Sequence, residues 1–582
     1  MLGLFPTLDG GGSPNANIRL MTAPEALISV SSSTCDDKLS MGVDRKADDT
    51  RGLPPSWILL AFAAVLLRFC FWSFTSRVWE DALISVLHSE NVFRGIGMTH
   101  FHRNGIPVHG FTSPISVLIP LVGDSIRVGC GLTLIRVFSA FASGIAVLTG
   151  MSIARQLGLS RFLVWIAGAY LAFEYHQILW GMSGMETQLV TTILLVSIWS
   201  LNNNVGAVRT GLMMALCILA RPDFLVWVGI MCAVLLWRWY KDRNQNRVWG
   251  GITVLVIAYA PWLVFTTVYY GSPIPNTILA KSVGYPLWTT RWPDVPTFLG
   301  IMVVRAIKEP FAPLGLVYGG NGTGFYSLDG YTVEFVAAVL VLLGIAISFH
   351  RKDRLMIPTS LFLVAYSFYY IFLVPTVCGW YCVPTCATAM LAVLYAIQHA
   401  APPHPFRRNV AYVALAAYVV ALVGLLPIEF RSERNIQIYV ENGVRKQMAL
   451  YLRRHSSPNA TIGLEPLGYM SYYSGREIYD YPGLVNRETV RLLKTYPDRR
   501  RLDHMLKCRR PDWIVLRRKE LNDLFYGHPE NDWLKDSYVP VNEFTVDGRF
   551  FDSVLASRKN IDTDFFVFRK VLSPLPAAAG TP

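Results

Sequence analysis

Residues 56–74 read SWILLAFAAVLLRFCFWSF, a run with a single formal charge, Arg68. A helix needs about 20 mainly apolar residues to cross the hydrocarbon core of a bilayer. Inside lipid the backbone must pair within its own segment, so such a run is helical. Working outward, comparable runs recur near 131–153, 161–180, 186–201, 209–220, 223–238, 249–269, 331–349, 356–375, 382–398 and 409–427. With 56–75 they predict about eleven spans by hydropathy. Two of them, 209–220 and 223–238, are short and meet at Arg221-Pro222-Asp223. The run 112–123 is shorter still and reads as a partial or in-plane helix. The composition agrees: of 582 residues, 52% are hydrophobic and only 16% charged, against about 25% charged in an average soluble chain.

The net charge of +13 would raise nucleic acid as a partner in a soluble protein. Here Lys and Arg gather between the apolar runs and no nucleic-acid-binding motif is present, so membrane lipid is the expected partner. With the N-terminus inside, alternate loops carry Arg155 and Arg161; Arg209; Arg238, Lys241, Arg243 and Arg247; Arg351, Lys352 and Arg354; and Arg407 and Arg408. All fall on the cytoplasmic side, as the positive-inside rule asks, and an odd number of spans then puts the region after 427 outside the cytoplasm. The expected organisation is a disordered cytoplasmic tail over 1–54, an all-α polytopic membrane domain over 55–429, and an extracytoplasmic α/β domain over 430–582. The location is the cell (inner or plasma) membrane. In the last domain ATIGLEPLGYMSYYSG (460–475) and PDWIVLRR (511–518) read as strand-rich material. FLGIMVVRAIKEPF (298–311) is amphipathic and is expected along the interface. No internal repeat is evident.

Residues 79–114, WEDALISVLHSENVFRGIGMTHFHRNGIPVHGFTSP, form the first outer loop. Glu80 and Asp81 sit at the mouth of the first span. Ionisable groups at a membrane edge commonly have a task, as a general base toward a hydroxyl or as ligands of a divalent cation; the plain alternative is a solvated pair at a helix end. His88, His100, His102 and His109 share the loop, and read as interfacial hydrogen-bonders more readily than as metal ligands. Cys378, Cys382 and Cys386 are spaced to align on a helix, but no His or carboxylate in the run completes a metal site, so they read as small helix residues. In GMSGMETQL, Glu186 opens a span, where a helix dipole alone favours a carboxylate. In ARPDFL, Arg221 and Asp223 either pair with each other or leave the Arg fork for a phosphate. In YYGSPIPNTILAK, Asn276 and Lys281 lie just outside a span; Lys281 is either a snorkelling anchor or a phosphate contact, and the bounding Pro and Gly favour the second.

Taken in order, E-D-A-L-I (80–84), N-x-x-R-G-x-G (91–97), G-F-T-S-P (110–114), SGMET, ARPD and YYGSPIPNT-x-x-AK resemble bacterial GT-C glycosyltransferases. The nearest type is the terminal arabinofuranosyltransferases of mycobacterial cell-wall synthesis. YDYPGLVN (479–486) and its upstream strand resemble the outer domain of such proteins, so the resemblance covers about 55–570. It implies a GT-C fold and transfer of a sugar from a polyprenyl-phosphate donor to a glycan or lipid acceptor outside the cytoplasm. It also implies that Asp81 is the base, with Glu80 second. Lys281 and Arg221 would stand at the leaving phosphate. Asp223, Glu186, Asn276, His109 and Thr112 complete the expected donor- and substrate-binding set. Direct attack would invert the anomeric centre. No cofactor is required by this scheme, and the carboxylate pair leaves a divalent cation open. The chain departs from the family in having Glu80-Asp81 for two Asp, Leu87 for an Arg and His109 for a Glu, so the resemblance does not fix arabinose as the sugar. Two other readings compete: a lipid-linked saccharide transporter or flippase, which inverted repeats and midplane ionisable residues would favour, and a non-catalytic membrane scaffold.

Overall fold

The computed structural model describes residues 53–100, 107–241, 247–284, 306, 309–314, 325–374, 378–400, 405–495, 501–526, 532–551 and 561–571. All but the last two residues of the tail expected over 1–54, all but four residues of the amphipathic stretch 298–311, and His102 lie outside them.

Apolar sequence becomes helix as anticipated. Helices α1 (Pro55–Thr75), α4 (Gly131–Gln156), α5 (Arg161–Phe173) and α7 (Thr187–Asn202) pack on one another, and α8 (Ala207–Ala220) packs against α10 (Arg247–Tyr270). Then come α12 (Phe325–His350), α13 (Met356–Phe372), α14 (Gly379–Ala400) and α15 (Pro405–Asn435). Small residues let these helices approach, as in membrane bundles generally. A Cβ on Gly344 of α12 would lie 2.2 Å from the Ala392 carbonyl oxygen of α14. The outward faces stay apolar: Leu59 and Phe62 of α1 and Val264 and Val268 of α10 are exposed. Such a surface suits lipid rather than water.

Among the described residues, seven helices are long and apolar enough to cross a membrane: Pro55–Thr75, Gly131–Gln156, Pro222–Lys241, Val248–Tyr270, Val333–His350, Gly379–Ala400 and Phe406–His455. Four more are apolar but shorter, Ile115–Ile126, Thr187–Asn202, Ala207–Ala220 and Met356–Phe372. The first of these is the partial helix foreseen over 112–123, here called α3. The chain is a multi-pass membrane protein.

The single span expected over 161–180 is corrected. The chain breaks at Glu174 (φ −66°, ψ 129°) into α5 and the short α6 (Tyr175–Met182). The Glu174 carboxylate caps α6 by accepting the His176 N–H at 2.8 Å and the Gln177 N–H at 2.7 Å. Arg68, the lone charge of the opening run, is fully buried and donates to the Ala172 and Leu171 carbonyls at 2.5 and 2.9 Å. Those carbonyls, left open where α5 stops, need a donor in an apolar interior.

The boundary expected at 429/430 falls inside a continuous helix. α15 runs through a π-helical stretch, Ile436–Arg445, into α16 (Lys446–His455). Beyond it lies a five-stranded sheet of β1 (Thr461–Leu464), β2 (Glu477–Asp480), β3 (Trp513–Arg517), β4 (Tyr538–Thr545) and β5 (Asp564–Lys570), in the order β2-β1-β3-β5-β4. β1 pairs parallel with β2 and β3; β5 pairs antiparallel with β3 and β4. Strand alternation feeds two cores. Trp513 and Val515 of β3 join Ile462, Leu464, Met448 and Met470 on one face. Ile514 and Leu516 join Met505, Leu506 and Phe568 on the other. Helices thus cover both faces: α17 (Gly468–Ser474) and α16 on the first, α19 (Arg501–Arg509) on the second.

Candidate active site

One cavity collects most of the chemically capable residues. Its wall includes Asp81, Ser85, Thr112, Ser113, Glu186, Arg221, Thr277, Lys281, Trp380, Tyr381 and Leu484. A second, largely apolar cavity adjoins it and shares Thr112, Arg221, Lys281 and Tyr381. Beyond those four it is lined by Leu225, Val226, Ile278, Tyr369, Leu373 and Val374, with Asp223 and Tyr370 at its polar end. The two cations therefore stand on the wall between a hydroxyl- and carboxylate-lined chamber and a greasy one.

Asp81 lies in the first turn of α2 (Glu80–Phe93), which starts from the extended Trp79. The Trp79 ring packs against Trp180 at 4.4 Å and Trp380 at 5.8 Å, which fixes where the helix begins. Asp81 lines the cavity. Burial pushes this carboxyl above its ordinary value, and Lys281 draws it part of the way back. Glu186 stands immediately before the first residue of α7, and its side chain makes no capping bond to that helix's N–H groups.

Arg221 is placed by its neighbour. Proline disfavours helix at the preceding residue, and Arg221 is extended (φ −158°, ψ 131°) between α8 and the turn Pro222–Phe224. Its Nε and Nη2 grip the two Asp223 oxygens at 3.1 and 3.0 Å. Nη2 also donates to Tyr370 Oη at 2.9 Å. The guanidinium lies over the Tyr381 ring, 4.3 Å from its centroid. Nη1 is buried with no partner among the described residues. Asp223 further accepts from Tyr366 Oη at 2.6 Å and from Tyr370 Oη.

Lys281 projects from α11 (Asn276–Gly284) and donates to Tyr381 Oη at 2.6 Å. Burial works to lower its pKa, but Tyr381, Cys378 and Asp81 outweigh that and hold the ammonium above its ordinary value. The Thr112 and Thr277 hydroxyls bond to each other at 2.9 Å.

Of the nine residues singled out from the sequence, Asp81, Thr112, Glu186, Arg221 and Lys281 converge on the first cavity and Asp223 on the second. Three stand apart. Glu80 turns away: its Oε2 meets Arg445 Nη1 at 2.7 Å and its Oε1 accepts the Gly468 N–H at 2.9 Å. Asn276 Nδ2 donates to the Gly483 and Leu484 carbonyls at 2.7 and 3.0 Å. The His109 ring stacks on Tyr270, centroids 4.7 Å apart, and burial pushes its pKa down to about 3. His88, likewise buried, falls to about 4. Among the described residues no three His, Cys, Asp or Glu side chains gather as a metal site. Sequence reasoning missed Tyr370, Tyr381, Trp380 and Leu484. Tyr370 lies inside the span expected over 356–375, and Trp380 and Tyr381 fall between that span and the next, with no motif to mark them; Leu484 sits in YDYPGLVN, a motif noticed for another reason.

Residues 434–567 match a family described as "Domain of unknown function (DUF8728)". A terminal beta-(1->2)-arabinofuranosyltransferase of Corynebacterium glutamicum is 26% identical over 297 residues, which is 45% of this chain and 42% of that relative. The chain thus matches less than half the length of this curated relative. ArnT from Cupriavidus metallidurans, solved with undecaprenyl phosphate bound, superposes with a TM-score of 0.50 over 89% of this chain and 98% of that one, at 12% identity. The oligosaccharyltransferase of Archaeoglobus fulgidus gives 0.49 over 84% of this chain and 73% of its own, also at 12% identity. The chain is a multi-pass membrane protein with the GT-C fold, similar in architecture to ArnT and in part of its sequence to an arabinofuranosyltransferase.

Proposed function

We propose that this protein is a glycosyltransferase that moves a sugar from a polyprenyl-phosphate donor to a hydroxyl of a cell-envelope glycan or lipid, at the outer face of the cell membrane. The observation that carries the reading is the pair Arg221 and Lys281 on the wall between a polar and an apolar chamber. A lipid phosphate has that division of character: an apolar chain, an anionic centre and a hydroxyl-rich head. The buried Arg221 Nη1, without a partner among the described residues, is a donor suited to an anion, since an orphaned buried donor is costly. ArnT was solved with a ligand of this class.

In the proposed reaction the acceptor oxygen attacks the anomeric carbon from the side opposite the phosphate. Its proton passes to Asp81. The bond from the anomeric carbon to the phosphate oxygen breaks, and its electron pair leaves on the phosphate. Arg221 and Lys281 stabilise the charge that gathers there, an effect worth most in a site screened from water. The raised pKa of Asp81 makes it a stronger proton acceptor than a free carboxylate. Glu186 and the hydroxyls of Thr112, Ser113 and Thr277 are positioned to hold sugar hydroxyls. The configuration at the anomeric carbon inverts.

Native mass spectrometry of the detergent-solubilised protein with a polyprenyl phosphate tests the carrying observation. Hydrogen bonds to charged groups contribute about 1.5–3 kcal/mol, so Lys281→Met is expected to weaken retention of the lipid roughly 10- to 100-fold. Equal retention by wild type and Lys281→Met would remove the phosphate from this wall.

A further inference from the structure

We infer that the C-terminal sheet domain builds the candidate site: it grips Glu80 so that Asp81 faces the cavity, and it anchors the helix that carries Lys281. This rests on the reading of Asp81 and Lys281 given above. It assigns a role to the segment that matches a domain of unknown function.

The first grip is on α2. Glu80 and Asp81 are neighbours, and neighbours on a helix point about 100° apart. The Glu80 carboxylate is held by Arg445 of the π-helical stretch and by the Gly468 backbone N–H at the start of α17. These partners lie 365 and 388 residues away in sequence. One turn further along α2, Ile84 packs in the sheet domain's own core with Met448, Leu467 and Val485. The contact is close: a Cβ on Gly468 would lie 2.2 Å from the Glu80 carbonyl oxygen. With Glu80 turned to the sheet domain, Asp81 is turned to the cavity.

Sheet topology explains why the domain has a place for it. With β1 between β2 and β3, all parallel, and helices on both faces, the order in which strands are added reverses between β1 and β3. In open α/β sheets the crevice beyond the strands' carboxyl ends at that point receives the ligand. Here Glu465 follows β1 and pairs at 3.0 Å with Arg517, the last residue of β3. Glu465 is near enough to Glu80 to feel its charge. The start of α2 occupies the position that a free ligand takes in such folds.

The second grip is on α11. Asp480 ends β2, and its carboxylate accepts the backbone N–H groups of Gly483 at 3.1 Å, Leu484, and Val485 at 3.3 Å. That turn offers its Gly483 and Leu484 carbonyls to Asn276, the first residue of α11. Tyr481 Oη donates to the carbonyl of Gly284, the last residue of α11, at 2.9 Å. Lys281 lies between these two anchors, and Leu484 closes the cavity wall. Glu80, Arg445, Asp480 and Asn276 are therefore positioning residues.

The test uses the full chain in nanodiscs, with two readouts: hydrogen exchange of residues 80–86 and 276–284, and steady-state kinetics on polyprenyl-phosphate sugars extracted from the host envelope. A displacement of about 1 Å at a reacting group costs on the order of 10²-fold. Arg445→Met is therefore expected to lower kcat about 10- to 100-fold while donor KM changes little, and Arg445→Lys to restore most of it. Gly468→Ala should act as a wedge, speeding exchange in 80–86 and lowering kcat. Asp81→Asn should slow turnover at least about 10²-fold with exchange unchanged. If Arg445→Met and Gly468→Ala leave both exchange and kcat at wild-type values, the sheet domain is a bystander and the inference is overturned, whatever Asp81→Asn does. If instead exchange rises as expected but Asp81→Asn stays active, the grip stands and the base assignment falls. Should Arg445→Met not fold, Glu80→Gln removes the same charge pair while keeping an acceptor for Gly468, and carries the same two expectations.

Discussion

Arg221 offers the sharpest separation of a structural role from a chemical one. Arg221→Met leaves the Asp223 carboxylate buried with Tyr366 and Tyr370 as its remaining donors among the described residues. Both partners of the lost pair are buried, with side chains 5% and 8% exposed. Removing one member of such a pair costs about 3–5 kcal/mol, because the other is left as an uncompensated charge. Turnover should fall by roughly 10²–10³ as well, the usual effect of removing one group that stabilises developing negative charge. The double variant Arg221→Met/Asp223→Asn separates the two losses. Asn keeps an oxygen for both tyrosine hydroxyls and carries no charge, so most of the lost stability should return. The missing cation does not, so turnover should stay down. Thermal unfolding followed by tryptophan fluorescence reads the first quantity and transfer from extracted donors the second. If turnover recovers together with stability, Arg221 serves only to neutralise Asp223, and its place at the donor phosphate is wrong.

Three further outcomes follow from the same contacts. Lys281 draws the Asp81 carboxyl down, so Lys281→Met lets it rise further; a base must be deprotonated, and the acid limb of the kcat profile should therefore move to higher pH, as measured from pH 5 to 9. Burial pushes Asp480 up to about 7, against about 3.9 for a free Asp; its contribution to stability is then fully present below pH 4 and lost as pH rises through 7, so Asp480→Asn should flatten the fall in melting temperature between pH 5 and 8. Glu174→Ala removes the acceptor of two α6 N–H groups and should cost about 1–2 kcal/mol of stability, with polyprenyl-phosphate retention unchanged by mass spectrometry.

Membrane character was legible because it is a property of local composition: any run like 56–74 has one viable fate in lipid. What composition does not encode is where a run breaks. Glu174 lies in an otherwise apolar stretch, and a hydropathy window averages it away; its capping of α6 and the answering donation from Arg68 appear only once α1 and α5 are side by side. The same limit governs the site. Arg221, Lys281, Asp81 and Glu186 were visible because a charge at a membrane edge is expensive to keep without a purpose. Motif likeness ranked Asp81 ahead of Glu80, but what holds Glu80 away from the cavity was not visible, since its partners Arg445 and Gly468 lie more than 360 residues away. Asn276 and His109 were placed at the substrate by motif likeness. The structure gives the first to the Gly483–Leu484 turn and the second to an aromatic stack with Phe111 and Tyr270. Tyr381 touches both cations yet falls just outside the spans expected over 356–375 and 382–398, where no charge or motif marks it.

Sugar transfer with Asp81 as base is the proposed reaction. Its most direct measurement is turnover of purified wild type and Asp81→Asn in nanodiscs, given radiolabelled polyprenyl-phosphate sugars and envelope acceptors from a strain lacking the protein. Wild type is expected to move label into the acceptor fraction and release polyprenyl phosphate. Asp81→Asn should do so at least about 10²-fold more slowly, while retaining the donor lipid equally well. Label that stays on the lipid with wild type, or moves equally fast with Asp81→Asn, would contradict the account.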